Sequence, residues 1–558
     1  MSLLYSMRNT LTILSLLISS LFASAQTPVG IPGQYQGPIK HGIAFNGNFI
    51  VGIGNQLWSS DGTIAGTNPL KVFSGAFYYG PYCFRELGNK LYFMADDSLT
   101  GQELWVTDGT SAGTNIVKDI NPGVTQSSMS PVNTRSMYPN IIQVLNGKLY
   151  FIADDAVNGR ELWVSDGTNA GTQMVKDINP GSAGSVPLPS GASEDFVVAG
   201  NKIYFPADDG SGSGTELWAS DGTAAGTQLV KDIVTGAMDS DPRHIIPYMN
   251  KVVFSTSDFT TQTVNSVYVS DGTAAGTIEI AQGMTNTFDN AVLGNNLYFS
   301  AIDSNGDLSL YSTDGTAGNT SILTSLASES GIVPGDAGKG AVCLTVYNNK
   351  LYFRNEQNGS GIELWQSDGT VAGTAMLKDI YPGSFSTRPN SFCMLNNRLY
   401  FRADDSFRLN LHYTDGTTAG TVQIPSPLPD YPVVNPFTRK SYMSYPLVPV
   451  GSSLYFTNPY DMSVAIYKLE VPADVKDIAV VSTVEIYPNP SQGFINVDAE
   501  EATSIIMCDI SGRPVYRQEM RISHRTQKID VQELPGGMYT IITVLHDGTK
   551  RYGKFVKE

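Results

Sequence analysis

"ELWVSDGTNAGTQMVKDI", residues 161–178, is nearly repeated at residues 103–120 as "ELWVTDGTSAGTNIVKDI", and it returns at 216–233 and, altered, at 363–380. Eight units carry the Asp-Gly-Thr at its centre, beginning at Asp61, Asp108, Asp166, Asp221, Asp271, Asp314, Asp368 and Asp415. Successive starts lie 47, 58, 55, 50, 43, 54 and 47 residues apart. A fixed phrase at variable spacing marks one structural unit carrying loops of unequal length, and periods near fifty residues belong to propellers or solenoids.

The third unit shows the anatomy. Its segments "IIQVL", "KLYFIA", "ELWVSD" and "TQMVKDI" alternate in polarity and are rich in β-branched and aromatic residues, which predicts four short strands. Asn146-Gly147 joins the first two as a tight hairpin. Asp166-Gly167 joins the last two through a turn whose glycine can take positive φ. Four antiparallel strands per unit, repeated around an axis, make a β-propeller blade. All five tryptophans (Trp58, Trp105, Trp163, Trp218 and Trp365) stand three residues before such an aspartate, and Tyr268, Tyr311 and His412 fill the same slot elsewhere. One large ring buries ~200 Å², worth up to ~5 kcal/mol, so a slot filled once per unit predicts the docking of blade on blade. His412 is read as a tryptophan substitute before any role as a base.

A ninth, weaker unit follows. "YPLVPV", "SSLYFTN" and "VAIYKLEV" supply three strands without the closing phrase, and "GQYQGPI", residues 33–39, is expected to add the missing outer strand. The expected fold class is all-β: a β-propeller of eight or nine four-stranded blades, eight if the last unit is only a cap, followed by a small β-sandwich.

Composition limits the partners. The 558 residues are 41% hydrophobic and 16% charged, with 55 Gly and 30 Pro, which is turn-rich globular material. A net charge of -17 argues against a nucleic-acid partner and against docking on anionic lipid. Residues 1–25 read as a signal peptide: Arg8, the apolar "LTILSLLISSLF", then Ala23-Ser24-Ala25 before Gln26. No later stretch reads as a membrane span. Cys83, Cys343, Cys393 and Cys508 follow neither a disulfide nor a zinc spacing.

The phrase resembles the ELWxxDGT repeat of secreted bacterial proteins over about residues 40–425, a resemblance that implies fold rather than activity. "ADDSLTGQELW" (95–105) and "ADDAVNGRELW" (153–163) are also similar to the tryptophan-docking motif of quinoprotein propellers, although Asn158 replaces its threonine and the family's adjacent cysteine pair is absent. Residues 481–558 differ in kind. "VEIYPNPSQGFINV" (484–497), "DISGRPVY" (509–516), "LPGGMYTI" (534–541) and "GKFVK" (553–557) resemble, in that order, the type A C-terminal sorting domain of the type IX secretion system of Bacteroidetes. The resemblance implies the secretion machinery as partner, transport across the outer membrane, and a secreted or cell-surface location. The domains expected are a signal peptide at 1–25, the propeller at 26–470, a linker at 471–480 and the sorting domain at 481–558.

No catalytic set emerges: the five histidines are scattered, and no GxSxG, HExxH or phosphate-cradling loop is present. Connectivity sends the strand-two-to-three loops and the crossovers to one face. Their variation makes that face the expected binding face. Aspartate pairs 96–97, 154–155, 208–209 and 404–405 end second strands there, either as turn acceptors or as a site for a cation or a polyhydroxyl ligand. "DSNGD" offers Asp303, Asn305 and Asp307 at the 1,3,5 oxygen spacing of a calcium loop. Asp314, at position twelve, stands roughly 23 Å further along the strand, and no glycine occupies position six. The expected function is a binding or adhesion module for an extracellular glycan or protein. A propeller hydrolase or lyase acting on polysaccharide is the first alternative and a quinoprotein-like oxidoreductase the second.

Overall fold

The computed structural model describes residues 29–30, 42–74, 81–122, 142–187, 196–256, 265–326, 343–356, 359–404, 409–424, 447–457, 465–471, 486–487, 491–499, 502–508, 514–520, 526–545 and 550–557. Every regular element among them is a strand. The chain divides into two compact units, Met1–Val471 and Pro472–Glu558.

In the first unit nine antiparallel four-stranded sheets follow one another. Eight are built from four consecutive strands each. The third consists of Ile142–Leu145, Lys148–Asp154, Arg160–Ser165 and Gln173–Lys176, the four segments anticipated from the alternation. Phe151 lies opposite Trp163, and the register slips between Leu162 and Trp163 where the outer strand pairs. The same slip recurs beside Trp58, Trp105, Trp218 and Trp365. Such a bulge bends a short outer strand and strengthens its twist.

The ninth sheet is Val448–Val450, Ser453–Thr457 and Ala465–Glu470, joined on its outer edge by Val29–Gly30. Val29 pairs with Ile466 and Gly30 with Ala465. An N-terminal segment therefore does supply the outer strand, but through residues 29–30. Residues 33–39 lie outside the described residues, as do 1–25 and 472–480.

Consecutive residues of each second strand are buried, Leu149 to Phe151 for example, because each sheet has a neighbour on both faces. Apolar clusters join each sheet to the next: Met94 and Leu104 of the second meet Ile142, Phe151 and Trp163 of the third. The succession returns on itself, since Phe49, Val51 and Trp58 of the first sheet pack with Val450, Tyr455 and Ile466 of the ninth. Phe49 and Tyr455 stand 5.4 Å apart, ring to ring.

The second unit holds a three-stranded and a four-stranded antiparallel sheet. Ile495, Val497 and Ile529 of the smaller share one core with Ile505, Met507, Ile541 and Phe555 of the larger.

Candidate functional site

Each sheet of the first unit has two ends. At the hairpin end the Asp-Gly-Thr phrase forms a loop held by its own side chains. In the third sheet the Asp166 Oδ1 accepts from the Thr168 amide at 2.9 Å and its hydroxyl at 2.7 Å. Thr168 Oγ1 accepts from the Gly171 amide at 3.0 Å, and the Thr172 hydroxyl closes the loop on the Thr168 carbonyl at 2.6 Å. Gly167 N donates to Ser165 Oγ at 3.0 Å. A β-carbon on Gly171 would come within 2.0 Å of the Asp166 carboxylate, so the second glycine of the phrase is required by close approach. The sixth sheet has Asn319 at this place, and its side-chain amide donates to Asp314 Oδ2 at 2.9 Å.

These loops also meet the preceding sheet. A β-carbon on Gly167, whose φ is +88°, would lie 2.0 Å from the Tyr92 hydroxyl, and one on Gly62 would lie 2.8 Å from that of Tyr455. Burial raises the pKa of Tyr92, with the negative charge of Asp166 adding to the shift. Lys118 of the second sheet reaches over the Trp163 ring, 5.6 Å from its centroid, and donates to the Thr172 carbonyl at 2.7 Å. Lys176 repeats this on Trp218 and Thr227. The five tryptophans are 3–6% exposed. His412, 4% exposed, stacks on Phe401 at 5.4 Å, and Tyr467 of the ninth sheet stacks on Phe456 at 5.5 Å in the corresponding place.

At the crossover end the variable loops are tied down by a buried carboxylate. Glu216, fully buried, accepts from Ile233 N and Ser240 N at 3.2 Å each and from the Ser240 hydroxyl at 2.6 Å. Glu161 does the same with Ile178, Asn179 and Ser185, and Glu363 with Ile380 and Thr387. Burial pushes Glu216 and Glu363 up to about 7. The crossover backbone docks on the strand-two-to-three loop: a β-carbon on Gly361 would meet the Phe385 carbonyl at 2.2 Å. On this pinned frame stand exposed apolar side chains: Leu99 and Val157 on the strand-two-to-three loops, and Met238, Tyr381 and Phe385 on the crossovers. The Tyr381 and Phe385 rings pack edge to face at 5.7 Å.

The aspartate pairs 96–97, 154–155 and 208–209 lie at this end, and their carboxylates accept turn hydrogen bonds. Asp97 Oδ1 takes the amides of Leu99 and Thr100, and Asp155 Oδ1 those of Val157 and Asn158. Asp154 accepts from Ala156 N, Asp208 from Gly210 N and Asp209 from Ser211 N. Asp405 lies outside the described residues. Asp303 caps its own turn, its Oδ1 accepting from Asn305 N at 2.8 Å and Asp307 N at 3.0 Å, while Asn305 Nδ2 donates to Asp303 Oδ2 at 3.4 Å. Asp314 belongs to the loop at the opposite end of that strand. Among the described residues no group of three His, Cys, Asp or Glu is placed to hold a metal ion, and no helix is long and apolar enough to cross a membrane. No disulfide joins the cysteines of the described residues, and Cys83 lies in the core.

Sequence reasoning passed over the glutamate of "ELW" and the lysine of "VKD". The signal was available: Ser185, Ser240 and Thr387 each follow their glutamate by 24 residues. Ser127 stands at that distance from the buried Glu103, outside the described residues.

Residues 485–558 match the model of the secretion system C-terminal sorting domain. No curated protein matches the chain. Among solved structures the chain is similar to PorZ, described as an essential surface component of the type IX secretion system of Porphyromonas gingivalis. That likeness has 11% identity, 93% of this chain and 75% of that one covered, and a TM-score of 0.35. It is also similar to a puromycin hydrolase at 13% identity, covering 75% and 58% with a TM-score of 0.35, and to the tricorn protease at 12%, covering 90% and 46% with a TM-score of 0.24. Likenesses this distant carry no functional argument. The sorting domain does: the chain carries a type IX secretion signal at its C-terminus and is a protein secreted to the cell surface.

Proposed function

We propose that the first unit is a nine-bladed β-propeller that works at the cell surface as a binding or adhesion module for a glycan or protein. Nine four-stranded sheets, each packed on the next and the ninth on the first, support the ring. The binding reading rests on the crossover end. Exposed Tyr381 and Phe385 stand on a crossover whose backbone is fixed by Glu363 and Gly361. A rigid loop holding aromatic rings in water is preorganised for a ligand, because little ordering remains to be done on binding.

The test is retention of the mature protein on panels of extracellular glycans and surface proteins, beside a Tyr381→Ser/Phe385→Ser variant. Selective retention that the variant loses supports the reading. Retention unchanged in the variant, or none at all, overturns it, and cleavage of a retained polysaccharide makes the module a hydrolase or lyase instead.

A further inference from the structure

Among the described residues both ends of the sheets carry exposed aspartates, but lysines are gathered beside those of one end only. Lysines that open second strands, Lys90, Lys148, Lys202 and Lys350, stand at the hairpin end, and each lies in the field of the Asp-Gly-Thr aspartate of its own sheet. The strand-four lysines Lys118, Lys176 and Lys231 are turned onto loop carbonyls of the next sheet. The crossover end carries the aspartate pairs 96–97, 154–155 and 208–209 together with the exposed Asp239 and Asp307. Of the described arginines at this end, Arg160 stands opposite Asp154 in the ladder, Arg243 is ion-paired with Asp241 at 2.7 Å, Arg388 donates to the Ser386 carbonyl and Arg402 is buried.

The apolar tips alternate with these carboxylates along the chain. Leu99 follows Asp97 by two residues, Val157 follows Asp155 by two, and Met238 adjoins Asp239. Leu99 is 67% exposed, Val157 69% and Phe385 56%. An acidic surface repels anionic polymers and raises the local concentration of cations, while exposed apolar side chains reward a partner that has apolar groups of its own. We infer that the crossover end docks a basic polypeptide surface in which Lys or Arg alternates with apolar side chains. The inference rests on the binding reading above and narrows its ligand to a cationic protein.

The probe is a synthetic peptide alternating lysine and leucine, titrated against the mature protein beside oligolysine of equal charge and a neutral oligosaccharide. The alternating peptide is expected to bind more tightly than oligolysine and to weaken as salt rises. Met238→Ser with Phe385→Ser should lower its affinity by about tenfold. Ile64→Ser with Glu86→Gln, an exposed apolar and an exposed acidic residue at the hairpin end, should not. Equal binding of oligolysine, or indifference to the tip variant, would reduce the effect to bulk charge and overturn the inference. Oligosaccharide binding at the tips, or panel retention without peptide affinity, overturns the cationic partner while leaving the binding module standing. Failure of both panel and peptide removes both.

Discussion

Cutting Trp163 to alanine would empty a slot that is 6% exposed between two sheets and remove the ring under Lys118. Trp163→Ala is expected to destabilise the first unit by about 3–5 kcal/mol, read as a fall in the urea midpoint at unchanged slope. Trp163→Tyr should cost less. The indole N–H of every tryptophan in this slot has no hydrogen-bond partner, and Tyr268 and Tyr311 already serve at the same position. Glu216 works differently. Its carboxyl moves from an ordinary value of 4.5 to about 7 because it is buried, with its hydrogen bonds from Ser240 and Ile233 opposing the shift. The folded state thus holds this proton more tightly. The associated stability is fully present below pH 4.5 and falls away as pH rises through 7, so that little of it remains at pH 8. In Glu216→Gln the amide nitrogen cannot accept the bonds that one carboxylate oxygen takes, which costs stability at every pH, but with no charge to titrate the variant should gain on wild type between pH 5 and pH 8. Denaturation curves that stay parallel across that range would show that Glu216 does not titrate there.

Within one sheet, the strands were plain from alternation and the hairpins from Asn-Gly pairs, since both depend on neighbours along the chain. The loop after the third strand was only half legible. Asp166-Gly167 announced a turn, yet the loop runs on to Thr172 because Thr168 accepts and donates in both directions. A double-mutant cycle tests that network. Asp166→Ala should cost about 1–2 kcal/mol through lost hydrogen bonds to a charged acceptor. Gly171→Ala should be costly alone and nearly neutral beside Asp166→Ala, because the atoms it meets are those of that carboxylate. Additive costs in thermal melts would show that the glycine answers to something else. Glu161 and Lys118 were not legible as functional parts for a different reason. Their partners lie on a crossover loop and on the next sheet, contacts that no local pattern announces.

Over the whole molecule, the sequence showed nine units and the need for an N-terminal outer strand, but it placed that strand at residues 33–39 instead of 29–30. A two-residue strand has too little pattern to be seen; only the unpaired edge of Ala465–Glu470 calls for it. Deleting residues 26–30 should leave the other eight sheets folded while lowering the melting temperature by roughly 1 °C for each kcal/mol lost, the shift expected for a unit of about 450 residues. An unchanged melt would show that the edge needs no cover. Deleting 481–558 should leave the first unit folded but retained inside the cell envelope, as fractionation would reveal; normal amounts outside would count against the sorting role. Val471 ends the first unit immediately after the strand Ala465–Glu470, and the route to the sorting domain leaves from there. Any pull on the tail is therefore loaded first onto the ninth sheet. Five residue pairs, Ser453–Glu470 through Thr457–Ile466, must resist it side by side. Under tension that sheet is the mechanical fuse of the molecule, giving way before the eight sheets behind it.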